Sequence, residues 1–270
     1  MSNIILSAQN FDIYEADGLH PFARTGDVSC EQLFKAGAQG VIIGHSEVGD
    51  SPEVIRKKLL TIVAKQKEQG QNFLAKITLL IGDSWEEFEN SSADQIVGII
   101  GQKTSTILKN LPVEFVKNFV LCYEPKWGSF GSGKDEAPPP EPELISACVK
   151  KIKEQLENDF SQEVVKAVPV MYGGRSTPER TEQILTDKNI EGLILGSACS
   201  SIAKTLAIAK AMQRCKGQNR KILHANFKAY NLTDSYEDYI KALRKLDDSF
   251  IVYLSPPYTD IYQLKNLLLS

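Results

Sequence analysis

Eight short apolar segments, each followed by a stretch with helical periodicity, constrain this chain more than any other feature. The segments are nearly continuous in apolar residues, which is typical of parallel strands covered on both faces. They are Ile4–Gln9, Gly40–His45, Ile77–Asp83, Val120–Pro125, Val168–Gly173, Leu193–Ser197, Ile222–Asn226 and Ile251–Pro256. Eight strand–helix units without a leftover segment predict an α/β fold, a closed (β/α)₈ barrel, in a single domain of residues 1–270.

The stretches between the strands carry amphipathic helices. Two apolar stripes are clear, Leu144, Cys148, Ile152 and Leu156 after the fourth strand, and Tyr236, Tyr239, Ile240 and Leu243 after the seventh. Each stripe can pack on a sheet while its polar face meets water. Thr233 is the candidate N-cap of the second stripe, and Ile261–Leu269 predicts a final helix. An open doubly wound sheet is the alternative fold, but the glycine-rich turn that such sheets carry after the first strand is absent from the sequence here.

Charge and composition disfavour several classes of protein. The 270 residues carry a formal net charge of −3, with a pI near 5.8, which argues against a nucleic-acid partner. No apolar run approaches the ~18 residues of a membrane span, and the first residues lack a signal-peptide pattern. A cytosolic protein is therefore expected. Five cysteines without a CxxC motif, and three histidines without paired spacing, predict reduced core thiols and no metal site.

Polar residues at the ends of the apolar segments are the candidates for chemistry, because the functional side chains of such barrels collect at the carboxyl ends of the strands. The second segment ends in Gly44-His45-Ser46-Glu47, and the fourth runs into Tyr123-Glu124-Pro125-Lys126-Trp127. A carboxylate that ends a buried strand, as Glu124 does, suits a general base. The alternatives are a structural glutamate and a histidine that is merely packed.

A glycine-rich stretch, Gly128–Lys134, follows directly. Such a loop can close over an anion and present backbone N–H groups to it. The stretch also nearly matches a nucleotide-binding P-loop. Asp135 stands where that motif needs a hydroxyl, and Pro138–Pro140 follow where it needs a helix. A nucleotide site is therefore disfavoured.

Three further segment ends suggest a binding site for a phosphorylated ligand. Tyr172–Arg175 and Gly196–Ala198 each lead toward a helix, so their backbone N–H groups could point at one phosphate, although each could also be a simple tight turn. The seventh segment ends in Asn226-Phe227-Lys228, and a period of two places Asn226 and Lys228 on the same side. A lysine there is a plausible partner for a phosphate group.

Taken together, these motifs resemble the triosephosphate isomerase family, whose fold is the TIM barrel. The motifs are AQN at 8–10, GHSE at 44–47, YEPKW at 123–127, YGG at 172–174, LILGSA at 193–198 and NFK at 226–228. In the family the NxK motif comes first, whereas here it comes last. The resemblance therefore implies a circularly permuted chain, in which residues 221–270 correspond to the family's first two strand–helix units. A closed barrel tolerates this because its ends meet in space.

The resemblance implies a glycolytic and gluconeogenic isomerase that interconverts D-glyceraldehyde 3-phosphate and dihydroxyacetone phosphate without a cofactor. Glu124 would be the base, His45 the neutral electrophile, Lys228 the stabiliser of negative charge and Asn226 its hydrogen-bonding neighbour, a division of roles known for this family. The implied phosphate-binding residues are Gly131, Gly174, Arg175, Gly196 and Ser197. The implied lid is Trp127, Gly128, Ser129, Phe130, Gly131, Ser132, Gly133 and Lys134. Thr25 would reach into the partner subunit's active site, which implies a homodimer.

The sequence departs from the family pattern on the phosphate and lid side. Val48 and Gly49 stand where two arginines usually follow GHSE, and the lid is one residue longer. Arg175 replaces a serine and Ser197 replaces a glycine. These changes leave open two alternatives, namely an isomerase of another short sugar phosphate and a non-catalytic phosphate-binding relative.

Overall fold

The structure, a computed structural model, describes residues 4–13, 25–128, 138–217 and 220–270 of the chain. Eight parallel strands close into a barrel, in which each strand pairs with the next and the last returns to the first. They are β1 (Ile4–Ala8), β2 (Gly40–Ile43), β3 (Lys76–Ile81), β4 (Phe119–Tyr123), β5 (Val170–Gly173), β6 (Ile190–Leu195), β7 (Lys221–Asn226) and β8 (Phe250–Ser255). The β8–β1 pairing confirms the closed barrel and excludes the open sheet.

Helices cover the outside of the barrel. They are α1 (Cys30–Ala36), α2 (Pro52–Gln69), α3 (Trp85–Glu89), α4 (Ala93–Leu108), α5 (Val113–Val116), α6 (Pro142–Asp159), α7 (Gln162–Ala167), α8 (Pro178–Ile184), α9 (Ile202–Arg214), α10 (Tyr236–Leu243) and α11 (Ile261–Leu269). Serine N-caps open several of them, as where Ser29 and Gln32 form a capping box on α1. In the described part of the chain, no helix has both the length and the apolarity to cross a membrane.

The predicted strands are all present, but their ends differ by a few residues. Four predicted strands extended too far, because they included residues of the following loops, beyond the last residue that pairs with a neighbouring strand. Their predicted last residues were Gln9, His45, Asp83 and Pro125. β6 starts earlier than predicted, since Glu191 and Gly192 interrupt its apolar run. The predicted cap of α10 was wrong. Ser235 accepts the N–H of Asp238 there, at 3.1 Å, whereas Thr233 donates to the Ser200 carbonyl.

Alternate residues of each strand belong to two separate apolar layers. The larger layer lies between the strands and the helices and includes Val41, Ile43 and Leu121. The smaller layer fills the barrel interior and consists of Ile42, Leu80, Val120, Cys122, Met171, Ile194, Ile222 and Tyr253. Full burial of one such side chain stabilises the fold by about 1.5–3 kcal/mol. The two-layer core leaves the carboxyl ends of the strands as the place where polar residues gather.

The cysteines occupy the positions expected of small apolar residues. Cys30, Cys122, Cys148 and Cys199 are buried, Cys215 is half-buried, and all five are free thiols. Burial raises the pKa of the Cys30 thiol to about 11, so that it stays protonated at neutral pH.

Candidate active site

One cavity at the carboxyl ends of the strands gathers most of the candidate catalytic and phosphate-binding residues. All four candidate catalytic residues and four of the five candidate phosphate residues line it. The full lining is His45, Glu124, Gly174, Arg175, Ser176, Ile194, Leu195, Gly196, Ser197, Ala198, Asn226, Lys228 and Tyr230. Residues from β2, β4, β5, β6 and β7 meet here because parallel strands end at the same rim of the barrel.

Glu124 follows the last residue of β4 and is buried, with 5% of its surface exposed. Its backbone N–H donates to the Ile81 carbonyl at 2.9 Å, which ties the residue to β3. Both carboxylate oxygens are engaged. Oε2 accepts the backbone N–H of Ser46 at 2.9 Å, and Oε1 lies 3.4 Å from Nε2 of His45. A carboxylate held in this way at a cavity wall is a positioned proton acceptor.

His45 is fixed in one tautomer by its own loop. The backbone N–H of Glu47 donates to Nδ1 of His45 at 3.1 Å, so Nδ1 carries a lone pair and no proton. The proton of the neutral ring therefore sits on Nε2, which faces Glu124 and the cavity. An Nε2–H group at that point can donate to an oxygen of a bound ligand.

Lys228 supplies a positive charge to the cavity. Its Nζ lies 2.6 Å from Oε1 of Glu47, in an ion pair between residues 181 apart in the chain. Burial lowers the pKa of Lys228, but the hydrogen bond and the charge of Glu47 outweigh it, so the pKa is raised above its usual value. The ammonium group is therefore charged throughout the neutral range.

The backbone places Asn226 and Lys228 differently from the predicted extended strand. β7 ends at Asn226, and Lys228 adopts a left-handed conformation with φ of 46°. The backbone N–H of Lys228 donates to Oδ1 of Asn226 at 3.2 Å. Both side chains line the cavity, Asn226 from the last position of β7 and Lys228 from the tight turn that follows the strand.

The opposite side of the cavity consists of two turns. Gly174 and Arg175 follow β5, and the backbone N–H of Arg175 donates to the Gly128 carbonyl at 3.0 Å. Gly196 and Ser197 follow β6, where Ser197 opens a 3₁₀ turn, Ser197–Ser200. A Cβ atom on Gly196 would lie 3.6 Å from Nζ of Lys228, so the ammonium group lies directly across from this turn. These two turns, one of which carries Arg175, and the lysine opposite them are groups that could bind an anion.

The model of the triosephosphate isomerase family matches residues 1–212 of the chain. This match covers well over half of the 270 residues. The chain belongs to the triosephosphate isomerase family. It is therefore an isomerase, and its reaction is that of the family.

Individual relatives agree with this assignment. A triosephosphate isomerase of Streptococcus equi subsp. zooepidemicus is 34% identical over 190 residues, which cover 69% of each chain. One of Psychrobacter sp. is 33% identical over 217 residues, 77% of this chain and 75% of the relative. One of Malacoplasma penetrans is 29% identical over 181 residues, 66% of each chain. The aligned stretches thus span roughly two thirds to three quarters of the relatives' own lengths.

The start of the predicted triosephosphate isomerase lid is held by residues that the sequence argument missed. Trp127 is buried, stacks on Phe88 with ring centroids 3.8 Å apart, and donates its indole N–H to Oδ2 of Asp83. Tyr123 donates to the other oxygen of Asp83 at 2.9 Å. Burial raises the pKa of Asp83, although both hydrogen bonds oppose this. Asp83 ended a predicted strand, as Glu124 did, so its position was a usable signal.

Trp127 and Gly128 lie in a 3₁₀ turn, Lys126–Gly128, whereas the other predicted lid residues lie outside the described residues. These are Ser129, Phe130, Gly131, Ser132, Gly133 and Lys134. On the far side of the segment, Pro140 accepts a hydrogen bond from Nη2 of Arg180 at 2.7 Å. The described ends of the lid segment are therefore anchored on both sides.

A buried ion pair supports the loop in which the two family arginines are missing. Nζ of Lys58, on α2, lies 2.6 Å from Oδ2 of Asp50 and donates to Oδ1 of Asn10 at 2.9 Å. Lys58 is only 3% exposed. Loss of one partner of such a pair is costly because the other charge stays buried. Lys58 thus ties the loop that carries Val48 and Gly49 to the loop after β1.

The sequence argument also gave no role to four other residues that contact the candidate catalytic side chains or line the cavity. Ser46 and Glu47 bind the predicted catalytic side chains, Tyr230 lines the cavity, and Gln9 contacts the Lys228 carbonyl. Three of these residues, Ser46, Glu47 and Gln9, belong to the GHSE and AQN motifs, so the sequence marked them as candidates although it did not show what they do. The predicted dimer residue Thr25 is exposed.

Proposed function

We propose that the chain interconverts D-glyceraldehyde 3-phosphate and dihydroxyacetone phosphate, with Glu124 as the base. The carboxylate takes a proton from the carbon that bears the hydroxyl group, which leaves an enediolate, and returns it to the neighbouring carbon. The hydroxyl proton passes to the former carbonyl oxygen. The observation that carries the proposal is the cavity in which a buried carboxylate, an imidazole, an ammonium group and an amide face one another. Fixed polar groups of this kind stabilise charge as it develops.

His45, Lys228 and Asn226 take the remaining roles in this proposal. The Nε2–H group of His45 polarises the substrate carbonyl, and the hydrogen bond from Glu47 to Nδ1 supports a neutral ring for that task. Lys228 stabilises the negative charge of the enediolate. Asn226 accepts the Lys228 backbone N–H at 3.2 Å, which supports a role in holding the turn and donating its amide to the substrate.

The phosphate group would bind at the turns after β5 and β6. Gly174, Gly196 and Ser197 offer backbone or hydroxyl donors, and Arg175 adds a positive charge to the same cavity. Gly131 and the rest of the lid, from Trp127 to Lys134, would close over the ligand and exclude water. The reaction needs no metal or organic cofactor.

The purified chain should turn over glyceraldehyde 3-phosphate in a coupled assay that follows NADH oxidation. Lys228→Met should lower kcat/KM by about 100-fold, the typical effect of removing one fixed electrostatic donor. Lys117→Met is the matched control, because Lys117 pairs with Glu114 and Glu163 on the surface and lies away from the cavity.

Equal rates for the unmodified chain and Lys228→Met would contradict the assigned role of Lys228. A tetrose phosphate turned over faster than the triose phosphate would favour the second candidate, an isomerase of another short sugar phosphate. Arg175 in the cavity is the observation that motivates this candidate.

We propose further that one barrel domain covers residues 1–270 in circularly permuted order. Support comes from the family match, which ends at residue 212, and from β7 and β8, which complete the barrel between β6 and β1. Placing residues 213–270 ahead of residue 1 should extend the family match over the whole chain. A match that stays limited to residues 1–212 would contradict the permutation.

A homodimer is the third part of the proposal. Thr25 is exposed, and two large apolar side chains are exposed in loops at the same end of the barrel, Val48 after β2 and Tyr258 after β8, at 43% and 59%. A second copy of the chain would cover them. Sedimentation equilibrium should give twice the chain mass of 30.0 kDa. A mass of one chain at micromolar concentration would contradict the dimer.

We place this glycolytic enzyme in the cytosol, where it would act on a free small-molecule substrate without a nucleic-acid or membrane partner. Its net charge of −3 supports the absence of a nucleic-acid partner. Recovery of the chain with the membrane or nucleic-acid fraction of lysed cells would contradict this placement.

A further inference from the structure

A histidine lies inside the barrel, beneath the cavity. His224 is on β7, two residues before Asn226, and is fully buried. Its Nε2 lies 2.8 Å from the hydroxyl of Ser255 on β8, and its Nδ1 lies 3.3 Å from the hydroxyl of Thr78 on β3. The ring stacks on Tyr253 with centroids 5.1 Å apart. His224 therefore connects β7 to strands on both sides of the barrel interior.

The surroundings of His224 match a neutral imidazole. A neutral ring has one donor and one acceptor, and each of the two hydroxyl groups can supply the complement. Burial, and the nearby His45, lower the pKa of His224 to about 3. Tyr253, which stacks on the ring, is also titratable, and burial raises its pKa to about 12. The ring is thus uncharged at neutral pH.

The connection continues from Ser255 to Lys228. The Ser255 carbonyl accepts the backbone N–H of Phe227 at 3.0 Å and the side-chain amide of Gln9 at 3.1 Å. The same amide group of Gln9 donates to the Lys228 carbonyl at 2.9 Å. Ser255 therefore contacts the turn after β7 both directly and through Gln9.

The turn that receives these contacts is strained. Lys228 has φ of 46°, in the left-handed region that residues other than glycine seldom adopt. Such a conformation persists only where surrounding contacts hold it. Gln9 and Asn226 each form a hydrogen bond with the Lys228 backbone, and Gln9 is itself held by Ser255.

We infer that His224 is a positioning residue for Lys228, acting through Ser255 and Gln9. The ring holds the Ser255 hydroxyl and thereby fixes the end of β8 relative to the turn after β7. The position of that turn determines where the Lys228 ammonium group lies in the cavity. The inference rests on the proposed role of Lys228. A misplacement of about 1 Å at a reacting group can cost about 100-fold in rate, so even a partial shift is measurable.

His224→Phe keeps an aromatic ring, somewhat larger than imidazole, that can stack on Tyr253, but it removes both hydrogen bonds. We expect kcat/KM to fall by about tenfold, while circular dichroism and the urea midpoint report a folded barrel. His224→Gln carries an amide near the position of Nε2 and should restore much of the rate. His224→Asn reaches only the position of Nδ1 and should not. Thr78→Val, which removes the other partner of the ring, is the control and should stay within twofold.

The decisive measurement is a double-variant cycle with Lys228→Met. If His224 acts through Lys228, adding His224→Phe to Lys228→Met costs little further activity. Multiplied losses would overturn the inference and indicate a general loosening of the barrel. Full activity of Lys228→Met would instead refute the proposed role of Lys228. If His224→Phe does not fold, Ser255→Ala, which removes only the hydroxyl, should show the same tenfold loss and the same lack of additivity. Full activity of Ser255→Ala would overturn the inference.

Discussion

Glu124→Gln should lower kcat by about 10³–10⁴-fold and leave the barrel folded. General acid–base catalysis by one positioned group contributes up to about 10⁴-fold. The amide has the shape of the carboxylate, so its oxygen can still accept the Ser46 N–H, which now lies 2.9 Å from Oε2. It cannot take up a proton. Steady-state rates on glyceraldehyde 3-phosphate, with circular dichroism as the check on folding, measure the effect.

Two further variants make this prediction sharper. Glu124→Asp keeps the base but withdraws it by one methylene group, and we expect an intermediate loss of about 100-fold. Glu163→Gln is the control, because Glu163 pairs with Lys117 on the surface at 2.8 Å and should leave kcat unchanged. Equal kcat for Glu124→Gln and the unmodified chain would mean that another group moves the proton.

The strands were predictable because of how a parallel barrel is built. Each strand is buried on both faces, so most of its residues are apolar, and this pattern is visible in the sequence of the strand alone. The ends of the strands were visible for the same reason, since polar residues first appear where the apolar run reaches the mouth of the barrel. His45, Glu124 and Asn226 were therefore found as candidates, and all three line the cavity.

Pairings across the barrel were not predictable, because they depend on which strands become neighbours after closure. Glu47 and Lys228 are 181 residues apart and meet only because β8 pairs with β1. His224 lies among Ile222, Leu223 and Ala225 in β7, and its partners lie on two other strands. Lys58 is similar, since a lysine on an amphipathic helix is normally solvated, whereas here it is buried against Asp50.

The left-handed turn at Lys228 was also invisible in the sequence. The strand period of two predicted that Lys228 faces the same side as Asn226. Lys228 does line the cavity, but it lies beyond the end of β7, where the backbone is no longer extended and the period does not apply. A lysine with positive φ carries no local sequence signal, because contacts from distant residues such as Gln9 hold it. Positions of this kind can be derived only from the folded barrel.

Gly82→Ala should produce the second large effect, a loss of about 3 kcal/mol in the free energy of unfolding together with most of the activity. Gly82 follows β3 beside the loop that carries Glu124. A Cβ atom there would lie 1.8 Å from the carbonyl oxygen of Glu124 and 3.1 Å from the backbone nitrogen of Pro125. The atoms that the Cβ would meet belong to the backbone and cannot rotate away as a side chain could. The carboxyl ends of β3 and β4 must therefore move apart. Overpacking of this type costs about 1–3 kcal/mol or more.

The loss of activity from Gly82→Ala has the same cause as the loss of stability. The Glu124 backbone N–H binds the Ile81 carbonyl at 2.9 Å, so a separation at residue 82 moves the base itself.

Gly98→Ala is the matched control. Gly98 lies within α4, and a Cβ there would meet nothing within 4 Å. Alanine is the better helix former by about 0.5–1 kcal/mol, so this variant should gain stability and keep its rate. Urea unfolding and coupled-assay rates on both variants test this prediction. If Gly82→Ala has the urea midpoint and kcat of the unmodified chain, residue 82 does not approach the Glu124 carbonyl closely, and the account of how the base is held is wrong.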